Sequence, residues 1–176
     1  MSRGGIVLYG PPASGKDTVT AALTVLEPRA QHFRRLKIGG GRTAGYRMGE
    51  QQDLIGLESS GGVLYSNRRY GATYVVDRPE IERMRAAGLI PVVHLGQPEG
   101  VVALLDAEPS ASWLVVELWC PRETAAERIA ARDTGDTEAR LIAWDETPRL
   151  TAPDLRIDTN NTAAEDAAQQ IMKAVE

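Results

Sequence analysis

Nine residues near the start of the chain, Gly10-Pro11-Pro12-Ala13-Ser14-Gly15-Lys16-Asp17-Thr18, set two glycines and a lysine at the spacing G-x4-G-K. A loop of this kind, between an apolar strand and the first turn of a helix, gathers backbone N–H groups and the positive end of the helix dipole around phosphate oxygens. Its lysine reaches the outer phosphates. Ile6-Val7-Leu8-Tyr9 before the loop and the helical pattern from Lys16 supply that context. Gly10 through Thr18 therefore reads as a cradle for nucleotide phosphates, with Lys16 as its catalytic cation. Asp17 stands where such loops usually carry the hydroxyl that ligates Mg2+ directly. An aspartate here either orients a water on the metal or caps the helix through the dipole.

Cationic and phenolic side chains cluster further along the chain. Arg34, Arg35, Lys37 and Arg42 follow one another closely, Tyr46 comes next, and Arg68, Arg69 and Tyr70 lie further on. Arg128, Arg132 and Arg140 form a third set. The planar guanidinium gives bidentate, charge-assisted contacts to phosphate oxygens, so arginine clusters of this kind suit anions. The competing reading makes Arg34, Arg35, Arg68 and Arg69 exposed strand and turn residues, and gives Arg128 and Arg132 solvated pairs with Glu127 and Asp133. Trp113, Trp119, Trp144 and Cys120 read as core or near-core. His32 and His94 have no metal-ligand spacing with another histidine or cysteine, so no zinc site is expected.

These residues need a scaffold. Apolar runs at Ile6–Tyr9, Ile90–Leu95, Trp113–Trp119 and Leu155–Asp158 predict strands, with a further one through His32–Leu36. Helical periodicity predicts helices at Lys16–Leu26, Pro79–Ala87, Glu99–Leu105, Arg122–Arg132, Thr137–Glu146 and Ala163–Val175. Alternation of this kind implies crossover connections and the α/β class, a mainly parallel sheet between two helical layers. Residues 39–73, rich in Gly, Arg and Tyr with weak periodicity, read as an insertion projecting from the sheet, and 132–140 as a short polar lid. The expectation is one domain over 1–176, with a core of 1–38, 74–131 and 141–176. A length of 176 residues, 43% hydrophobic, suits one such core. The formal charge of −4 speaks against a nucleic-acid or membrane-surface binder. One cysteine, and no apolar run long enough for a signal sequence or membrane span, suggest a cytoplasmic protein.

The ensemble resembles the guanylate kinase superfamily of P-loop kinases over nearly the whole chain. The GKDT loop is similar to the GKGT and GKDS forms of small-molecule kinases, in which the later hydroxyl, here Thr18, touches the α-phosphate. Arg34-Arg35-Leu36-Lys37, Arg42, Tyr46 and Ser66-Asn67-Arg68-Arg69-Tyr70-Gly71-Ala72-Thr73 resemble the family's acceptor region. Arg132-Asp133-Thr134 and Arg140 resemble its lid, and Ile157-Asp158-Thr159-Asn160-Asn161 its last strand and asparagine. The resemblance implies a P-loop α/β/α sandwich using ATP and Mg2+. Lys16, Arg132 and Arg140 would be catalytic, Asn160 would join the ATP site, and Lys37, Arg42, Tyr46 and Tyr70 would bind a small phosphorylated acceptor. Asp17 would touch the metal through water.

Specificity departs from the family. Its guanine-reading glutamate and hydroxyl fall on Gly61 and Ala72, with Glu58, Ser59, Ser60 and Thr73 nearby, and its two aspartates fall on His94 and Gly96. A nucleoside monophosphate kinase with altered base specificity is the first expectation. Ribose 1,5-bisphosphokinases, with a GKDS-type loop and a base-free acceptor, offer a second. An alcohol kinase would need a carboxylate base, for which Asp53 and Glu58 are candidates. A non-catalytic binding module of this superfamily would not be expected to keep its loop intact.

Overall fold

The computed structural model describes residues 3–175. Two sheets and seven helices make up the described residues, and the larger sheet carries the phosphate loop. Strands β1 (Arg3–Tyr9), β2 (Ala30–His32), β7 (Ile90–Leu95), β8 (Ser112–Trp119) and β9 (Leu155–Asp158) form it, in the order β2-β7-β1-β8-β9. Every pairing in it is parallel. The period-two alternation of β1 divides its side chains between two layers. Ile6 and Leu8 pack with Val19 and Leu23 of α1 (Lys16–Leu26) and Ile171 of α7 (Ala164–Val175). Val7 and Tyr9 pack on the opposite face with Ile81 and Met84 of α3 (Arg78–Ala86) and Leu104 of α4 (Pro98–Ala107). Burial on both faces is what a continuous apolar strand demands, and it produces the three-layer α/β/α sandwich.

Strand β1 is flanked by β7 on one side and β8 on the other, so connections leave the centre of the sheet in opposite directions. The crevice at the carboxyl end of such a strand is where open α/β sheets bind ligands. Gly10 to Gly15 occupies that place.

The smaller sheet runs β4-β3-β6-β5, built from β3 (Leu36–Ile38), β4 (Arg47–Gly49), β5 (Val63–Arg69) and β6 (Ala72–Asp77), with α2 (Gln51–Ser59) against it. Leu36, Leu54 and Val75 form its own small core. The expected strand through His32–Leu36 is two strands instead: β2 ends at His32 and pairs with β7, while β3 begins at Leu36 and joins the other sheet. Phe33, fully buried, sits between them. The second sheet thus spans Leu36–Asp77, a few residues more at each end than the stretch of weak periodicity.

Helices α5 (Arg122–Arg132) and α6 (Thr137–Asp145) pack together beside the loop, where Ala13, Cys120, Ala125 and Ile129 are buried with Trp144 and Leu141 against them. The segment after α6 is pinned to β8. Fully buried Glu117 accepts hydrogen bonds from the Leu150 N–H (2.7 Å) and from Arg149 (3.1 Å), and pairs with Arg156 (3.1 Å). Tyr9 donates to the Pro148 carbonyl at 2.6 Å. No helix of the described residues is long and apolar enough to cross a membrane.

Candidate active site

The loop follows the last residue of β1 and presses against β8. A Cβ on Gly10 would lie 2.3 Å from the Leu118 carbonyl, so only glycine allows this approach. Gly15, with φ of 98°, turns the chain into α1. Ala13 takes a left-handed φ of 61° without being glycine, an uncommon conformation that its surroundings must hold. Lys16 curls over the loop, its Nζ donating to the carbonyls of Gly10 (2.6 Å) and Pro11 (2.8 Å). Burial lowers its pKa to about 8, with Arg35 and Arg132 adding repulsion against the opposing attraction of Asp17.

A cavity of about 460 Å³ opens over the loop. Gly10, Pro12 to Gly15, Lys16 and Asp17 form one wall. The second sheet faces it with Arg35, Lys37, Tyr46, Asn67, Arg69, Tyr70 and Tyr74, and the β3–β4 connection adds Gly40, Gly41 and Arg42. His94 to Gln97, at the end of β7, form the base, while Arg132, Asp136, Arg140 and Thr147 lie on the lid side. Seven cationic side chains and two carboxylates line this space, in a chain whose formal charge is −4. Of the carboxylates, Asp136 is engaged by Thr134 and by Arg140 at 2.7 Å. The cavity is built for anions.

The wall opposite the loop carries one buried and one partly buried cation. Lys37 is 2% exposed, and its Nζ donates to the Arg42 carbonyl at 2.7 Å and lies 5.3 and 5.4 Å from the ring centres of Tyr46 and Tyr74. Arg35 spreads over the Tyr74 ring at 5.2 Å and donates to Asn67 at 3.2 Å. Burial holds its pKa below the ordinary arginine value. Among the described residues neither has a carboxylate within salt-bridge distance. A buried charge without a counter-charge is costly, and an anion entering the cavity would relieve that cost.

At the base, His94 shares a hydrogen bond with Thr20 (2.7 Å), stacks on His32 with ring centres 4.3 Å apart, and brings Nδ1 to 3.7 Å from Asp17. Burial above all, then His32, Lys16 and Arg35, hold its pKa well below 6.5. It is a neutral imidazole where the resemblance would set an aspartate.

The structure thus brings together Lys16, Asp17, Lys37, Arg42, Tyr46, Tyr70, Arg132 and Arg140 around one cavity. Pro11 lies just outside its lining and contributes a carbonyl to Lys16; Thr18 is exposed on α1, away from the lining. Asn160 is also outside it, accepting from Thr124 of α5 at 2.8 Å. Asn67, Tyr74, His94, Gln97, Asp136 and Thr147 join the lining with no role expected from the sequence, and Arg35 and Arg69, for which anion contact and solvent exposure are both open readings, line it too. Arg35 immediately precedes β3, two residues before Lys37. Arg34 points outward, donating to the Tyr46 carbonyl. The alcohol-base candidates lie elsewhere. Asp53 caps α2 through the Glu50 N–H (2.7 Å) and Glu58 is exposed; neither lines the cavity.

No protein-family model matches the sequence, and no curated protein matches it. The likeness to solved proteins is structural. Guanylate kinase from Anaplasma phagocytophilum superposes with a TM-score of 0.62 at 19% identity, covering 99% of this chain and 86% of that one. The APS kinase CysC of Mycobacterium tuberculosis, solved with AMPPNP and APS, superposes with a TM-score of 0.53 at 16% identity, covering 99% of each chain. The chain has the fold of the guanylate-kinase-like P-loop kinases.

Proposed function

We propose that this protein transfers a phosphoryl group from ATP, with Mg2+, to a small acceptor that already bears a phosphate. One observation carries the reading: the phosphate loop and a second cationic wall, Arg35, Lys37 and Arg42 with Tyr46, face each other across a single cavity. A protein that only holds one nucleotide has no need of the second wall.

Phosphoryl transfer between phosphates is a matter of positioning and charge, because the acceptor oxygen is anionic already and needs no general base. The loop and Lys16 hold the donor's phosphates. Lys37, Arg35 and Arg42 neutralise the acceptor phosphate, and the Tyr46 and Tyr70 hydroxyls donate to it. Arg132, with Arg140 once it exchanges Asp136 for substrate, balances the charge that spreads over the moving group. Asp17, exposed beside the loop and 3.7 Å from His94 Nδ1, would hold Mg2+ through a water, in keeping with an ion that retains most of its waters and takes few protein ligands. When bound, Mg2+ would neutralise phosphate charge. The β3–β4 connection and residues 132–140 are the elements that would close and exclude water. A single, buried Cys120 accords with a reducing, cytoplasmic setting.

Gly61 lies in an exposed turn and Ala72 is buried in β6, so neither offers a polar group for reading guanine. The acceptor is therefore expected to be something other than GMP, a differently based nucleotide or a base-free sugar phosphate. ADP release measured over nucleoside monophosphates, ribose 1,5-bisphosphate and unphosphorylated sugars tests this. Turnover is expected only with phosphorylated acceptors. Turnover confined to unphosphorylated sugars would overturn the proposal, and a response to GMP alone would overturn the specificity argument.

A further inference from the structure

The phosphate loop is held from behind by a pair of residues far from it in sequence. Arg128, in the middle of α5, donates from Nη1 to the Ala13 carbonyl (3.0 Å) and to Thr159 Oγ1 (3.1 Å), and from Nη2 to the Thr159 carbonyl (2.9 Å). Thr159 in turn donates from Oγ1 toward the Ser14 carbonyl (2.8 Å), and its side chain packs 3.4 Å from where a Gly15 Cβ would be. The two carbonyls they hold are consecutive, and they belong to the left-handed Ala13 and the residue after it. We propose that Arg128 and Thr159 form a positioning pair that sets the loop's peptide dipoles for a polyphosphate, and that Arg128 is not a surface arginine.

A trans peptide points its C=O and N–H in opposite directions. Fixing the Ser14 carbonyl on Thr159 aims the Gly15 N–H away from Thr159, toward the cavity that Gly15 lines and Thr159 does not. Fixing the Ala13 carbonyl on a guanidinium holds a φ that alanine rarely adopts. The donor is charged and part-buried, and hydrogen bonds from such donors are stronger than neutral ones. Arg132 lies one helical turn beyond Arg128 on α5 and lines the cavity. One helix thus braces the loop and presents the lid arginine, keeping the two in register. Arg128 itself does not line the cavity, so its effect on ligands would pass through the loop.

This inference rests on the loop binding a nucleotide, and calorimetry separates the two claims. If wild-type protein binds neither ADP nor ATP, the functional proposal fails and this one with it. If wild-type binds ADP, Arg128→Met is expected to raise the ADP Kd by about tenfold, because the loop's amides lose their preset orientation and must be ordered on binding. The KM of the acceptor should stay within about twofold in the same variant, and its KM for ATP should rise with little change in kcat. Arg128→Lys, a point charge without the planar fork whose two nitrogens reach the Ala13 and Thr159 carbonyls separately, should recover only part of the affinity. Thr159→Val, which keeps the shape and removes the donor to Ser14, should weaken ADP in the same sense and decides the matter if Arg128→Met does not fold. The inference is overturned if the folded variants bind ADP like wild-type, or if donor and acceptor affinities fall together with a large drop in Tm, which is what a purely structural arginine would produce.

Discussion

Thr20 Oγ1 and His94 Nε2 meet at 2.7 Å, tying the first helix after the phosphate loop to the end of β7 beneath the cavity. Burial above all, then the neighbouring His32, Lys16 and Arg35, disfavour protonation of the ring. The folded-state pKa is therefore depressed below the ordinary 6.5, and between those two values the unfolded chain binds more protons than the native one. Stability from this source is complete above pH 6.5 and is lost as pH falls toward the folded-state value. His94→Gln should flatten the acid side of the Tm profile between about pH 5 and 6.5 relative to wild-type. Parallel profiles would show that His94 is protonated at no cost.

How much of this was legible in sequence depends on whether the signal was local. The loop, β1 and α1 are contiguous, and Gly10, Gly15 and Lys16 announce themselves by spacing. The second sheet is different: Lys37 pairs with Tyr74 and Asn67 pairs with Tyr74 from the other side, through strands as short as three residues, so weak periodicity hid a real sheet. Whether Arg35 faces phosphate or solvent depends on strand phase, which the sequence leaves open and the start of β3 at Leu36 sets. Helical spacing relates Arg128 only to nearby residues of α5, whereas its partners are Ala13 and Thr159, more than a hundred residues before it and about thirty after it. Neither separation leaves a trace in local pattern.

Lys37 separates binding from stability. It is a buried cation held by one carbonyl and two tyrosine faces, with no carboxylate partner among the described residues. Replacing an unpaired buried charge with an apolar side chain of similar length is often neutral or stabilising. Lys37→Met should therefore keep or raise Tm while raising the acceptor KM about tenfold or more, the loss of a charged contact to the acceptor. Thermal unfolding and initial rates on the same preparation check both halves. A lower Tm with an unchanged acceptor KM would make Lys37 structural.

Arg132 and Arg140 are in different states. Arg140 is engaged by Asp136 at 2.7 Å, whereas Arg132 is exposed at the end of α5 and has no carboxylate within salt-bridge distance among the described residues. An arginine that acts on the moving phosphoryl group affects the transition state far more than the ground state. Arg132→Ala should lower kcat about a thousandfold with ATP affinity changed only a few-fold. Asp136→Ala should act in the other direction on closure, freeing Arg140 and lowering the acceptor KM. An Arg132→Ala enzyme with wild-type kcat would remove the lid from the mechanism.

Lys16 offers a test that needs no acceptor. Burial has brought its pKa from 10.5 to about 8, so in the free protein it begins to lose its proton as pH rises through that value. A polyphosphate beside it favours the charged form and raises the pKa again. Between about pH 8 and 10.5, then, nucleotide binding must be accompanied by proton uptake, and affinity must fall as pH climbs through this window. Calorimetry of ADP binding at pH 9 in buffers of different ionisation enthalpy should report uptake of a fraction of a proton, and little or none near pH 6.5. Lys16→Met should abolish the uptake and most of the affinity together. Should ADP bind at pH 9 with no proton exchanged, the lysine in the free protein is not the perturbed group that its burial implies.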